Sequence, residues 1–331
     1  MKEINKKLII LIVAVALFFV FYFLFVGGGK KVDVEFGFTF SQKYASEFGL
    51  DWRKAYQEIL RDFNFKRVRL IAYWDLIESE NNNFNFEDLD WQIKKAQEKG
   101  IKVLLDVGKK APRWPECHIP KWAENLKEDD FERELLDYIE NVVLRYKSYS
   151  NIEYWQVENE PFFSFGEKCK TSNLGVLKKE VELVRKLDVR KIVITDSGEF
   201  GTTILPAYFA DIVGITIYKD VFVKEVNKSI DYPFSPEFYF RKAKVIESLS
   251  NKKVIGIETQ AEAWGDKPLP YLSFEKQREL MPLDKFKYLF DFAHKTGIQI
   301  QYLWGVEWWY FMKEKGDSSY WNYSKSIINK Y

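Results

Sequence analysis

Trp155-Gln156-Val157-Glu158-Asn159-Glu160-Pro161 decides how this chain is read. The residues leading into it, from Ile152 to Val157, run apolar like a buried strand; the chain then turns abruptly polar and meets a strand-ending proline. Glu160 therefore sits at a strand's carboxyl end. In a barrel of alternating strands and helices that end faces the ligand, whereas in an unrelated loop Glu158 and Glu160 would only favour the start of a following helix. The rest of the chain separates these readings.

Upstream, strands are expected at Val34 to Phe40, Val68 to Tyr73 and Ile101 to Val107. Between them lie amphipathic helices at Asp51 to Phe63, with Asp51 as the cap, and at Asp88 to Lys99, stopped by Gly100. A long loop with Pro112, Trp114, Pro115, Cys117 and Pro120 precedes a helix from about Asp130 to Tyr146. Downstream, strands at Lys191 to Asp196, Ile212 to Tyr218, Lys253 to Ile257 and Gln299 to Trp304 alternate with helices at Leu174 to Leu187, Pro236 to Leu249 and Pro282 to Lys295. Eight strands with intervening helices in a chain of 331 residues predict a closed (β/α)₈ TIM barrel. An open doubly wound sheet would carry a glycine-rich phosphate turn after its first strand, and Gly37-Phe38-Thr39-Phe40-Ser41 is no such turn.

The amino terminus is different in kind. Leu8 to Val26 is an unbroken apolar run preceded by Lys2, Lys6 and Lys7 and followed by Gly27-Gly28-Gly29 and Lys30-Lys31. It is long enough to span a bilayer, and the basic flank should stay cytoplasmic. A cleaved signal peptide would have a shorter apolar region and a small-residue cleavage site. The expected organisation is thus a cytoplasmic tip, single transmembrane signal anchor and Gly/Lys linker over residues 1–31, with an extracytoplasmic barrel domain over residues 32–331.

Composition narrows the partners. Lys plus Arg (50) nearly cancel Asp plus Glu (49), which removes the field a nucleic-acid binder needs. Two histidines and two cysteines leave little for a transition-metal site, so neither metal nor cofactor is expected. Aromatic content of 18%, with 11 Trp and 19 Tyr, supplies flat apolar faces with polar edges that suit sugar rings as well as cores.

At the expected strand ends, polar and aromatic residues share one theme. Arg69, Tyr73 and Trp74 belong to the second strand, Asn159 and Glu160 to the fourth, Asp196 and Glu199 to the fifth, Tyr218 to the sixth, Glu258 to the seventh and Trp304 to the eighth. Two carboxylates on the fourth and seventh strands would lie across the mouth from each other. Glycoside hydrolysis needs such a pair, one protonated towards the leaving oxygen and one ionised towards the anomeric carbon.

From Val34 onward the chain resembles the clan A (β/α)₈ glycoside hydrolases, the group that includes the cellulase-like family 5 enzymes. The resemblance is carried by Asn159-Glu160-Pro161, with support from Arg69, Trp74, the segment Asn83 to Trp91, Tyr218 and Trp304. It implies that Glu160 is the acid/base, that Asn159 binds the sugar 2-hydroxyl, and that a Glu closing the seventh strand is the nucleophile. Glu258 fits that last description, and Glu262, four residues on, is the alternative. Thr216-Ile217-Tyr218 stands where many family 5 members carry His-x-Tyr.

The expected substrate is an oligo- or polysaccharide, with Arg69, Asn159, Tyr218, Trp74, Trp114, Trp304 and Glu262 in the binding site and Trp304 as the first choice for a sugar platform. Asp196 and Glu199 either bind sugar or satisfy loop amides, and His118 reads as a loop residue. Cys117 and Cys169, in the loops after neighbouring strands three and four, are expected to form a disulfide outside the cytoplasm. A carbohydrate-binding barrel without turnover is the rival function.

Overall fold

A computed structural model describes residues 2–164, 166–167, 169, 173–223 and 226–330. Eight strands close into a parallel barrel: β1 (Glu35–Thr39), β2 (Arg67–Ile71), β3 (Lys102–Val107), β4 (Ile152–Val157), β5 (Lys191–Asp196), β6 (Ile212–Ile217), β9 (Lys253–Gln260) and β10 (Ile300–Trp304). The β1–β10 pairing completes the cylinder. Strands β7 (Asp220–Val223) and β8 (Lys228–Asp231) form an antiparallel hairpin outside it, between β6 and its helix Pro236–Ser250. These are the elements of a TIM barrel, and the hairpin occupies what the sequence showed only as a long excursion.

Helices follow the strands where periodicity and caps put them. Asp51 accepts the Lys54 amide at 3.1 Å to start Trp52–Asp62, and Ser235 accepts the Phe238 amide at 3.2 Å to start Pro236–Ser250. Leu174–Leu187 has the expected bounds. Short helices at Gln42–Glu47, Ile204–Phe209 and Phe274–Leu280, and the closing pair Val306–Glu314 and Ser319–Ile328, have no counterpart in the sequence reading, because too few turns repeat to reveal a period.

Side chains alternate between two cores. Leu104, Val193, Ile212, Ile255, Ile257, Ile300 and Tyr302 fill the cylinder, while Val68, Leu70, Val103, Leu105 and Val213 face the helices. Two strands break this rule: β4, where Val103 pairs with Ile152 and Leu104 with Tyr154, and β9. Against β6, β9 pairs Ile215 with Gly256 and then Thr216 with Glu258, and against β10 it pairs Gln301 with Gly256 and then Leu303 with Thr259. One extra residue therefore sits in β9. With Ile255 and Ile257 both inside, regular alternation would send Glu258 outward, and the bulge re-aims it into the barrel mouth.

The helix Lys2–Phe25 stands apart, with Leu8–Phe25 apolar enough to cross a membrane and unburied. Only its last turn meets the barrel. The glycine linker behind it is packed rather than loose: Gly29, at φ +64°, lies so close to Lys295 that a Cβ there would come 2.1 Å from its carbonyl oxygen, and the Val32 amide donates to the His294 carbonyl.

Candidate active site

The site is built where β4 ends. Beyond Val157 the backbone enters the left-handed region at Glu158 (φ 59°) and again at Glu160 (φ 44°), a conformation costly for residues with a Cβ. The turn throws the two acids into different roles. Glu158 accepts the amides of Lys109 and Lys110 at 3.0 and 2.7 Å, fastening the loop after β3, and a Cβ on Gly108 would come within 2.8 Å of its carboxyl carbon. Glu160 donates its amide to Thr195 on β5 at 2.7 Å, which holds its backbone at the mouth.

Arg69 organises the floor. From β2 its guanidinium donates to Gln156 Oε1 at 2.9 Å, to Asn159 Oδ1 at 2.7 Å and to Glu258 Oε1 at 2.9 Å. The Tyr218 hydroxyl donates to the other oxygen, Glu258 Oε2, at 3.1 Å. Both Glu258 oxygens are thereby held by hydrogen-bond donors. Glu160 is in the opposite situation: burial, then the negative charges of Glu258 and Glu116, push its pKa well above the usual carboxylate range. The arrangement places a donor on each oxygen of Glu258 and favours the protonated form of Glu160.

Glu116 is a third acid that sequence reasoning missed. It is buried beside the pair, accepts from Asn159 Nδ2 at 3.3 Å, and its pKa is pushed up to about 8 by burial and then by Glu258. Lys110, also missed, reaches the carbonyls of Glu160 and Phe163 at 2.9 and 2.7 Å, so it braces the loop carrying Glu160. Asp106, inside β3, has neither carboxyl oxygen hydrogen-bonded among the described residues, and burial raises its pKa well above normal. Glu116, Lys110 and Arg113 share a loop without periodicity, and nothing in their local sequence distinguishes them from solvated charges.

Glu262 has other partners. It pairs bidentately with Arg113, at 2.5 and 3.3 Å, and Arg113 also reaches Glu307 at 3.2 Å. The Arg113 guanidinium lies between the rings of Tyr44 and Trp304, 3.6 and 3.8 Å from their centroids. One face of Trp304 is thus covered, which displaces it from first choice as an open sugar platform; it is 8% exposed, against 47% for Trp114 on the β3 loop. Trp74 does not reach the mouth at all. It is fully buried, stacked on Tyr138, with its indole N–H on Glu78 at 2.8 Å, because it begins a helical turn that faces the outer core. Trp264, unremarked in the sequence, packs edge-on against Tyr218 and is partly exposed.

The remaining expectations resolve simply. Asp196 accepts the amides of Ser197 and Thr203, and Glu199 accepts the Tyr218 amide and the hydroxyls of Thr216 and Tyr239, so both satisfy loop groups. His118 bonds the Arg113 carbonyl and Lys43 Nζ, each at 3.0 Å, within the β3 loop. Cys117 and Cys169 are joined in a disulfide between the loops after β3 and β4. No group of three or more His, Cys, Asp or Glu among the described residues is arranged to hold a metal ion.

The family model for glycosyl hydrolase family 10 matches residues 31–177, less than half the chain, which includes Arg69, Asn159 and Glu160 but not Glu258. No curated protein sequence matches the chain. Among solved structures, a glycosylated endo-β-1,4-xylanase of family 10 from Gloeophyllum trabeum is 17% identical, with 82% of this chain and 84% of that one covered and a TM-score of 0.55. Xylanase 10B from Thermotoga petrophila RKU-1, solved with xylobiose, is 15% identical over 92% and 99% of the two chains, with a TM-score of 0.53. A family 5 subfamily 18 enzyme from Streptomyces cattleya, in complex with GlcNAc, is 12% identical over 83% and 71%, with a TM-score of 0.54. At these identities the three likenesses concern the fold.

Proposed function

We propose, for a chain that is an O-glycosyl hydrolase built on the clan A (β/α)₈ barrel, that it is a retaining enzyme cleaving β-glycosidic bonds of an oligo- or polysaccharide. Glu258, ionised, attacks the anomeric carbon while Glu160 gives its proton to the leaving oxygen; a covalent glycosyl-enzyme results. Glu160, now a carboxylate, then takes a proton from water as that water displaces Glu258 from the sugar, releasing the product with its original anomeric configuration. Arg69 and Tyr218 hold Glu258 on both oxygens, which fixes its attack direction. Asn159, anchored by Arg69, and the exposed Trp114 face the sugar in this reading.

The observation that carries the proposal is the split between the two acids: Glu258 clamped by Arg69 and Tyr218, Glu160 buried beside the negative charge of Glu258. The test is hydrolysis of an aryl β-glycoside panel with the anomer of the product followed by NMR, on wild type, Glu160→Ala and Glu258→Ala. Azide should rescue Glu258→Ala with a glycosyl azide of inverted configuration. Turnover undiminished in both variants would refute the assignment, and binding without turnover in wild type would favour the carbohydrate-binding alternative.

We further propose that Lys2–Phe25 is an uncleaved anchor, with the barrel outside the cytoplasm. The basic flank ahead of the apolar run and the Cys117–Cys169 disulfide both support that orientation. Protease protection of the barrel in sealed inside-out vesicles, lost on detergent treatment, is the expected result.

A further inference from the structure

The end of the apolar helix is joined to one particular part of the barrel. Arg241 donates to the carbonyls of Tyr22, Phe23 and Val26 at 2.8, 3.3 and 3.0 Å, satisfying groups that a helix end leaves open. The Ser235 amide donates to the Leu24 carbonyl at 3.2 Å, Phe23 meets Phe238 edge-on, and Phe25 stacks on Phe234. Behind this joint, Gly27 lies against Glu237 and Gly29 against Lys295. Wherever the bilayer ends at Phe25, helix Pro236–Ser250 begins.

That contact continues into an apolar surface. Phe234 packs against Tyr232 and Phe200, and Phe200 opens the segment leading to helix Ile204–Phe209, where Ile204 is 69% and Tyr208 81% exposed. Isolated exposed apolar residues need no explanation, but a patch continuous with the exit point of a membrane helix does. Aromatic residues with cationic neighbours, here Lys30 and Arg241, are the chemistry of the membrane–water interface.

We infer that this rim, centred on Phe200, Ile204 and Tyr208 beside Phe25, lies in the interfacial layer of the bilayer that holds the helix, so that the β5–β6 edge of the barrel mouth is seated against the membrane surface and the opposite edge stands clear of it. The inference rests on the membrane-spanning reading proposed above and commits to lipid as the occupant. It has a catalytic consequence through neighbouring residues: Glu199, adjacent to Phe200, accepts the Tyr218 amide, and Tyr218 holds Glu258. The nucleophile's clamp is two residues' contacts from the bilayer, within reach of glycans attached to lipid or lying on the membrane.

The test uses the full-length protein in proteoliposomes, with the native disulfide intact and one added cysteine carrying an environment-sensitive fluorophore. Three positions are compared: Ala16→Cys in the apolar helix, Ile204→Cys on the rim, and Asn81→Cys in the loop after β2, which the strand order places across the barrel. With nitroxide-bearing lipids, Ala16→Cys and Ile204→Cys should each lose roughly half their emission or more, and Asn81→Cys almost none. Tyr208→Cys is a second rim position should Ile204→Cys not fold. Quenching at Ala16→Cys with none at either rim position overturns the inference and leaves the span standing. Absence of quenching at Ala16→Cys overturns both.

Discussion

Two arginine–glutamate pairs sit four residues apart along β9 and its extension, and they have opposite characters. Glu258 and Glu262 are 4% and 6% exposed, so burial does not separate them. Their partners do. Arg69 spreads its donors over Gln156, Asn159 and Glu258, and Tyr218 completes the hold, so every partner of Glu258 comes from the barrel mouth. Arg113 commits to Glu262 and Glu307 and is pressed between Tyr44 and Trp304, so that cluster ties the β3 loop to the last barrel strand. A carboxylate at a strand end is a candidate for chemistry only when its arginine leaves it facing substrate space.

The comparison can be broken most directly by mutation of the first pair. Glu258→Ala should lower kcat/KM by about 10⁴-fold or more with folding intact, as measured on activated aryl glycosides. Glu262→Ala should reverse the pattern: about 3–5 kcal/mol of stability lost in denaturant titration, since Arg113 is left buried without its bidentate partner, and a far smaller loss of kcat per folded molecule. Equal losses of turnover in both would dissolve the distinction.

Smaller effects sharpen it. Replacing Cys117 and Cys169 with Ala opens a loop with a sequence separation of 52 and should cost about 2–4 kcal/mol by the same titration. Tyr218→Phe removes one hydrogen bond to the ionised Glu258 and should reduce kcat by roughly 10- to 100-fold, in keeping with the ~1.5–3 kcal/mol of a charged hydrogen bond, with KM little changed. Glu116 gives a test by pH. Its folded pKa, raised by burial and Glu258 to about 8 from the ordinary 4.5, means the folded protein binds the extra proton between those values. Its stabilising contribution is complete below the lower value and is lost as pH rises through the upper. Glu116→Gln should therefore melt a few degrees higher than wild type at alkaline pH, and that advantage should shrink towards pH 4.

Much of this was legible in the chain because parallel barrel strands are short apolar runs with polar ends. Ile152 to Val157 and Lys191 to Asp196 have the bounds their composition announces, and Glu160, Glu258 and Tyr218 stand at the ends of such runs, while Arg69 is a charge inside one. What was not legible depended on distance or on irregularity. Arg113 meets Glu262 across 149 residues and Glu307 across 194, a pairing no local pattern encodes. Trp74 looked like a rim residue because it follows β2 directly, but one helical turn swings it into the outer core. The apolar run reads as ending at Ile257, but β9 continues to Gln260, and the bulge that aims Glu258 has no signature in the local composition.

That bulge makes the direction of Glu258, the proposed nucleophile, a matter of register. Were Gly256, Ile257 and Glu258 to pair regularly in turn with both neighbours, with no residue removed, the acid would turn towards the surrounding helices. Under the mechanism proposed above such a strand would be inactive, and a hydrogen-bonding irregularity of one residue would belong to the catalytic apparatus.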